Sequence, residues 1–189
     1  MRYVLAVLAI STMALLARSQ ELGSPPMPHV IDGLCPFECC RYRDWIVETD
    51  TELLVSPEHS AAKADTLHAG TSVKAITGHL QVSVPGQIRV LRTFHAEHSK
   101  VAYQAGDIVW VYSYLGEGYF WVWYKGNFYA EEAYFYGAHA WDRCEEAGTC
   151  WGETLELPQN TWWVNIESPT TVRGWTSQPE NFGNKDACG

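Results

Sequence analysis

The stretch Asp107-Ile108-Val109-Trp110-Val111-Tyr112-Ser113-Tyr114-Leu115, Gly116-Glu117-Gly118, Tyr119-Phe120-Trp121-Val122-Trp123-Tyr124, Lys125-Gly126-Asn127, Phe128-Tyr129 decides the fold. β-Branched and aromatic residues fill three runs of strand length, and the breaks between them carry glycine, as tight chain reversals require. A hairpin series is predicted. In the first run Ile108, Trp110, Tyr112 and Tyr114 share one face, while Val109, Val111, Ser113 and Leu115 share the other. A sheet with one wet face alternates apolar with polar residues, so this ribbon is either covered on both sides or displays its rings to a ligand.

Working outward, the same grammar of short apolar runs and turn residues continues upstream. Ile46-Val47, Leu53–Val55, Val73 with Ala75 (before Thr77-Gly78), Val82 with Val84 (before Pro85-Gly86) and Ile88–Leu91 all read as strands separated by turns. Downstream, Trp162–Ile166 and Val172–Thr176 restore strand character around a turn at Ser168-Pro169. Between them, Gly137, Cys144, Gly148, Cys150, Gly152 and Pro158 break every apolar run, which predicts a bridged loop over 137–160. The fold class expected is all-β. Ala69-Gly70 before Val73 and Ala75 resembles Ala105-Gly106 before Ile108 and Trp110 at an offset of about 36 residues, as a duplicated barrel would produce, and as two hairpins sharing turn chemistry would also produce.

Residues 1–19 read as a secretory signal, with Arg2 ahead of the apolar run Val4–Leu16 and a small-residue cut near Ala17-Arg18-Ser19. That run is too short to span a bilayer comfortably and no other approaches the required ~20 apolar residues, so no membrane span is expected after cleavage. A secreted or periplasmic location follows. Residues 20–34, with Pro25, Pro26 and Pro28, are expected to be a flexible linker. Loss of Arg2 and Arg18 with the signal leaves 11 basic against 22 acidic residues, a formal charge of −11, which argues against nucleic acid as a partner.

All six cysteines, Cys35, Cys39, Cys40, Cys144, Cys150 and Cys188, follow the signal, and an even count in an oxidising compartment predicts bridges. Adjacent Cys39 and Cys40 are poorly placed to bond each other. If Cys144 closes the short loop to Cys150, two arrangements remain, with Cys188 joined to Cys39 or to Cys40 and Cys35 joined to the other. Either one ties the C-terminal tail to the N-terminal segment.

Several segments resemble bacterial Src-homology-3-like domains of exported proteins. Trp162-Trp163-Val164-Asn165-Ile166 followed by Gly174-Trp175 is similar to the family's closing hairpin, and Leu53-Leu54-Val55 with Leu67-His68-Ala69-Gly70-Thr71-Ser72-Val73 resembles its opening strands. Cys35-Pro36-Phe37-Glu38-Cys39-Cys40 resembles a cysteine-rich leader of envelope members. The resemblance covers most of 35–189 and implies one or two small barrels, divided at about 41–95 and 100–189, that bind or position a cell-envelope component.

Function is expected to lie in binding rather than catalysis. The chain has no Gly-x-Ser-x-Gly, its cysteines can all be absorbed into bridges, and Glu131-Glu132 and Glu145-Glu146 read as solvated loop pairs. His79, His95, His98 and His139 match no zinc spacing, so neither metal nor cofactor is expected. The candidate ligand surface is Trp110, Tyr119, Trp121, Trp123 and Tyr124, whose rings suit an extended cell-wall peptide or the apolar face of a glycan. A second expectation is a structural or inhibitory protein that docks on an envelope enzyme through the bridged loop, and a third is a small cell-wall hydrolase.

Overall fold

A computed structural model describes residues 25–133, 135–136 and 150–188. Its strands, in chain order, are β1 (His29–Asp32), β2 (Asp44–Val47), β3 (Thr51–Leu54), β4 (Lys63–Leu67), β5 (Ser72–Val84), β6 (Gly86–Val90), β7 (Phe94–His95) and β8 (Ala102–Tyr103). There follow β9 (Ile108–Gly116), β10 (Tyr119–Tyr124), β11 (Asn127–Glu132), β12 (Phe135–Tyr136), β13 (Gly152–Glu156), β14 (Gln159–Glu167), β15 (Arg173–Thr176) and β16 (Phe182–Gly183). The fold is all-β; a 3-10 turn at Pro179–Asn181 is the only helical element among the described residues.

The strands form two main sheets. The first, in order β16-β2-β5-β14-β15-β3-β4 with β1 added on the remaining edge of β5, curls into a half-barrel; the second runs β11-β10-β9-β6-β13-β12, and β7 pairs only with β8. Every strand of the second sheet lies in sequence between β5 and β14, which pair with each other from Val84↔Gln159 to Lys74↔Glu167. The second sheet is thus nested inside the first. The expected sequential division at 41–95 and 100–189 is corrected accordingly, because the first sheet needs β14 to β16 from the C-terminal end to complete it.

The repeat is deeper than shared turn chemistry. In the first sheet the Val47 amide donates to the Thr71 carbonyl, Gly70 donates back to Val47, and Thr71 donates to His68. In the second, Val90 donates to Asp107, Gly106 donates to Val90, and Asp107 donates to Gln104. The side chain three residues beyond each valine caps the same turn: Asp50 accepts from the Ala69 amide at 2.8 Å, and Thr93 accepts from Ala105 at 3.4 Å. Gly70 and Gly106 both hold positive φ, at 84° and 90°, where a side chain would be strained. Strand, capped turn and strand therefore recur as one unit in each sheet.

Three apolar clusters hold the sheets. Trp45, Val47, Leu53, Val73, Ala75, Val164, Ile166 and Phe182 fill the curl of the first sheet. Ile88, Val90, Tyr103, Val109, Val111, Phe120, Val122, Tyr124 and Trp151 fill one side of the second, under the β7–β8 pair. The third, with Leu80, Val82, Tyr112 and Trp123 at its centre, joins the sheets to each other. Strand β5 serves two of these cores, since a register irregularity opposite Asn165 and Ile166 shifts its buried positions from Val73 and Ala75 to Gly78, Leu80 and Val82.

Three local expectations are corrected. Thr77-Gly78 is no turn but the middle of β5: a Cβ on Gly78 would stand 2.1 Å from the Tyr42 hydroxyl and 2.5 Å from Trp162 Nε1, so glycine is there for close approach. Within the loop expected over 137–160, residues 152–156 form β13 against β6 and β14 already begins at Gln159; residues 137–149 lie outside the described residues. In the linker expected at 20–34, residues 29–32 form β1, registered from His29↔Val82 to Asp32↔His79. The signal region also lies outside the described residues.

Of the two disulfide arrangements left open, the structure has Cys39 bonded to Cys188 and Cys35 bonded to Cys40. Cys150 is disulfide-bonded as well; its expected partner Cys144 is not among the described residues. The tail is further held by Arg43, which donates to the Asn184 carbonyl at 2.9 Å and to that of Asp186 at 2.5 Å.

Candidate binding cleft

The hairpin series forms as its turns dictate. Glu117-Gly118 joins β9 to β10 and Lys125-Gly126 joins β10 to β11, with positive φ at all four residues, the geometry that matches the twist of paired strands. These turns fix the register, and the register assigns every aromatic ring to a face.

Both faces of the ribbon are covered. Trp123 is 6% and Tyr124 3% exposed, so these two candidate ligand residues are core, with Trp123 between the sheets and Tyr124 under β8. The Tyr124 hydroxyl donates to Asp107 Oδ2 at 2.6 Å, and Lys125 Nζ closes on the same carboxylate at 2.7 Å. The Lys125 ammonium, with that hydroxyl, holds the Asp107 carboxyl below its ordinary pKa. Trp110 and Trp121 are half-buried against the inter-sheet cluster, and Trp121 stacks on Phe128 at 5.5 Å between centroids.

Of the five candidate rings, Tyr119 lines a cleft among the described residues. It stands at the start of β10, beside a cavity of about 560 Å³ whose other described walls are Phe94 and His95 of β7, Ala96, Glu97 and His98 from the connection to β8, and Glu131 and Glu132 from β11. Behind it, a second cavity of about 430 Å³ runs between Tyr119, Ala130, Leu115–Glu117 and the cysteine leader. The connection carrying the histidines is held by the Ala96 amide on the Val101 carbonyl at 2.9 Å and by Lys100 on Ala96 at 3.1 Å. His98 meets Tyr119 edge-on at 6.4 Å.

No family model, curated protein or solved structure matches this chain. The chemistry of the cleft is therefore read from its own side chains.

Glu131 is the decisive one. It is 2% exposed, and the buried Tyr103 hydroxyl donates to its Oε1 at 3.0 Å. Burial first, and then the neighbouring Glu131 charge, pushes the Tyr103 hydroxyl well above its usual pKa, so it remains a donor. That hydroxyl is the carboxylate's hydrogen-bond partner among the described residues, and none of the ion pairs they form involves Glu131. A buried carboxylate with one hydrogen bond and no cation beside it is costly. Around it the described lining adds Glu97 and Glu132, two imidazoles, and neither lysine nor arginine among those residues.

The loop reading of Glu131-Glu132 is thus corrected: both lie in β11, Glu131 buried and Glu132 exposed. The signal was present, since counting back from Lys125-Gly126 sets Glu131 opposite Phe120, on the face that Val111 and Val122 bury. His95 and His98 gave no such signal, because what placed them is the docking of β7–β8 over the sheet. Among the described residues the one cluster with metal-ligand spacing is Cys39, Asp186 and Cys188, and its two sulfurs are bonded to each other and offer no thiolate.

Proposed function

We propose that this is an exported, non-catalytic protein built on a duplicated Src-homology-3-like unit, and that it binds a cationic peptide segment of a cell-envelope component in the Tyr119 cleft. The single observation that carries the reading is the buried Glu131 carboxylate on the wall of an open cavity whose lining, among the described residues, holds no lysine or arginine. A ligand ammonium would supply the missing charge, with the Tyr119 ring as an apolar and cation-attracting wall. The same lining favours peptide over neutral glycan. It also argues for binding over hydrolysis, since among the described residues no serine, threonine or cysteine stands in it and Glu131 is tied to Tyr103. Export is supported by the disulfides, which persist in oxidising compartments. The repeated strand-and-turn unit supports the family resemblance.

Calorimetric titration of the oxidised protein tests this, using a short lysine-containing peptide, the same peptide with acetylated ε-amines, and soluble glycan fragments. The free-amine peptide is expected to bind and the acetylated one to bind at least tenfold more weakly. Tyr119→Ala should lose at least tenfold while keeping the melting temperature. Equal binding of both peptides, preference for glycan, or full affinity in Tyr119→Ala would each overturn the reading.

A further inference from the structure

The aromatic surface that faces the first sheet is occupied by the chain itself. Residues Pro25–Leu34 cross the junction of the two sheets, and they send Met27, Ile31 and Leu34 against the cluster of Leu80, Val82, Tyr112 and Trp123. The His29 ring stacks on Phe128 at 4.6 Å and meets Tyr112 edge-on at 4.9 Å, while the Tyr112 hydroxyl donates to the Pro26 carbonyl at 2.9 Å. Backbone pairing completes the dock, with β1 antiparallel to residues 79–82 of β5. On that edge of β5 the neighbour β2 reaches only residues 72–74, so β1 is what closes the rest.

The covering segment is unlike the surface it covers. Leu80, Val82 and Tyr112 are at most 1% exposed, yet no residue from Pro25 to Leu34 is buried, and Val30 is 46% exposed. The segment contributes its hydrogen bonds and one side of its side chains, and none of its residues is buried beneath another element among the described residues. An apolar groove beside an open strand edge is the arrangement by which sheets accept an added strand, with main-chain bonds giving affinity and alternate side-chain pockets giving selectivity.

We propose that this groove is a strand-accepting peptide site held closed by the chain's own Pro25–Leu34 segment, and that its partner is an extended segment of another protein with the same chemistry. That chemistry is a proline-bearing stretch followed by apolar side chains at the positions of Met27, Ile31 and Leu34. The covalently attached copy competes at an effective concentration in the millimolar range, so a partner segment sees only the fraction of molecules in which it has lifted, and its apparent affinity falls by that fraction. The site is separate from the Tyr119 cleft and its test does not depend on it.

The probe is a fluorescein-labelled peptide of residues 25–34, added to the full oxidised chain and to the chain carrying Met27→Asp and Ile31→Asp, whose own segment should lift. Both substituted residues are only partly buried, so the fold should persist, which the melting temperature checks. Hydrogen exchange over residues 79–82 is expected to speed up in the variant and to slow again as peptide is added. Peptide affinity should be at least tenfold higher for the variant than for the unchanged chain, and a peptide carrying aspartate at both positions should not bind. Absence of peptide binding to a folded variant with accelerated exchange, or exchange unchanged by the substitutions, would overturn the proposal. Dimerisation of the unchanged chain by exchange of this segment, seen on gel filtration as it is concentrated, would overturn it in favour of a second copy as occupant.

Discussion

At the scale of single residues, the aromatic side chains act mainly through what they are denied. Tyr42 donates to the Leu34 carbonyl and accepts from Trp162 Nε1 at 3.2 Å, and burial pushes its hydroxyl up to about 12. Burial does the same to Tyr112, also to about 12. With folded-state values raised, the unfolded chain releases these protons first, near its own value of about 10. The stability they contribute is therefore complete below about pH 10 and is lost as the pH climbs toward 12. Urea midpoints measured from pH 8 to 12 should fall above pH 10, and phenolate absorbance should lag behind that of free tyrosine. A flat profile to pH 12 would contradict the burial of these hydroxyls. The residue types in the hairpin series were legible from the sequence, and so was their division between faces. That both faces are covered was not, because the covers come from β1, β5 and β7–β8, as far as His29 is from Phe128 along the chain, and no local pattern announces them.

At the scale of elements, β5 shows why a glycine misleads when read locally. Thr77-Gly78 followed by a polar histidine has the look of a turn, yet the strand continues through it because Tyr42, Leu34 and Trp162 all approach the position where a side chain would begin. Contact at such distances leaves no room for a methyl group, and the atoms in the way include a main-chain carbonyl. Gly78→Ala is expected to cost about 2 to 3 kcal/mol, within the range for overpacking a tight site. It should also free the Leu34 end of the N-terminal segment. Gly106→Ala, where nothing lies within 4 Å but φ is 90°, should cost only about 1 kcal/mol. Denaturant titration of the two variants checks the order; equal losses would place the cost in backbone conformation rather than in close approach. The turns at Glu117-Gly118 and Lys125-Gly126 are the opposite case. There the glycine does what its neighbours suggest, since paired strands need positive φ within two residues.

At the scale of the whole molecule, one sheet interrupted by another poses an entropic problem that the cysteines address. The first sheet closes only when β14, β15 and β16 return to β5, β3 and β2, after the complete second sheet has been laid down between them. Before that closure the two ends of the chain are far apart in the unfolded ensemble, and Cys39–Cys188, with a sequence separation of 149, removes most of that freedom. Cys35–Cys40 spans only 5 residues and constrains little beyond the leader. On loop-closure entropy the first bridge contributes about 5 kcal/mol and the second about 2. Replacing Cys39 and Cys188 by serine should therefore lower the unfolding free energy by about 3 kcal/mol more than replacing Cys35 and Cys40. Each pair is replaced together so that no free thiol remains to exchange. The larger loss should appear as β2, β16 and the tail opening, and hydrogen exchange should rise at residues 44–47 and 182–183 while the second sheet, closed by its own strands, keeps its protection. Equal losses from the two double substitutions would mean that the tail is held by Arg43 and the β2–β16 pairing rather than by the long bridge, and that the first sheet closes without covalent help.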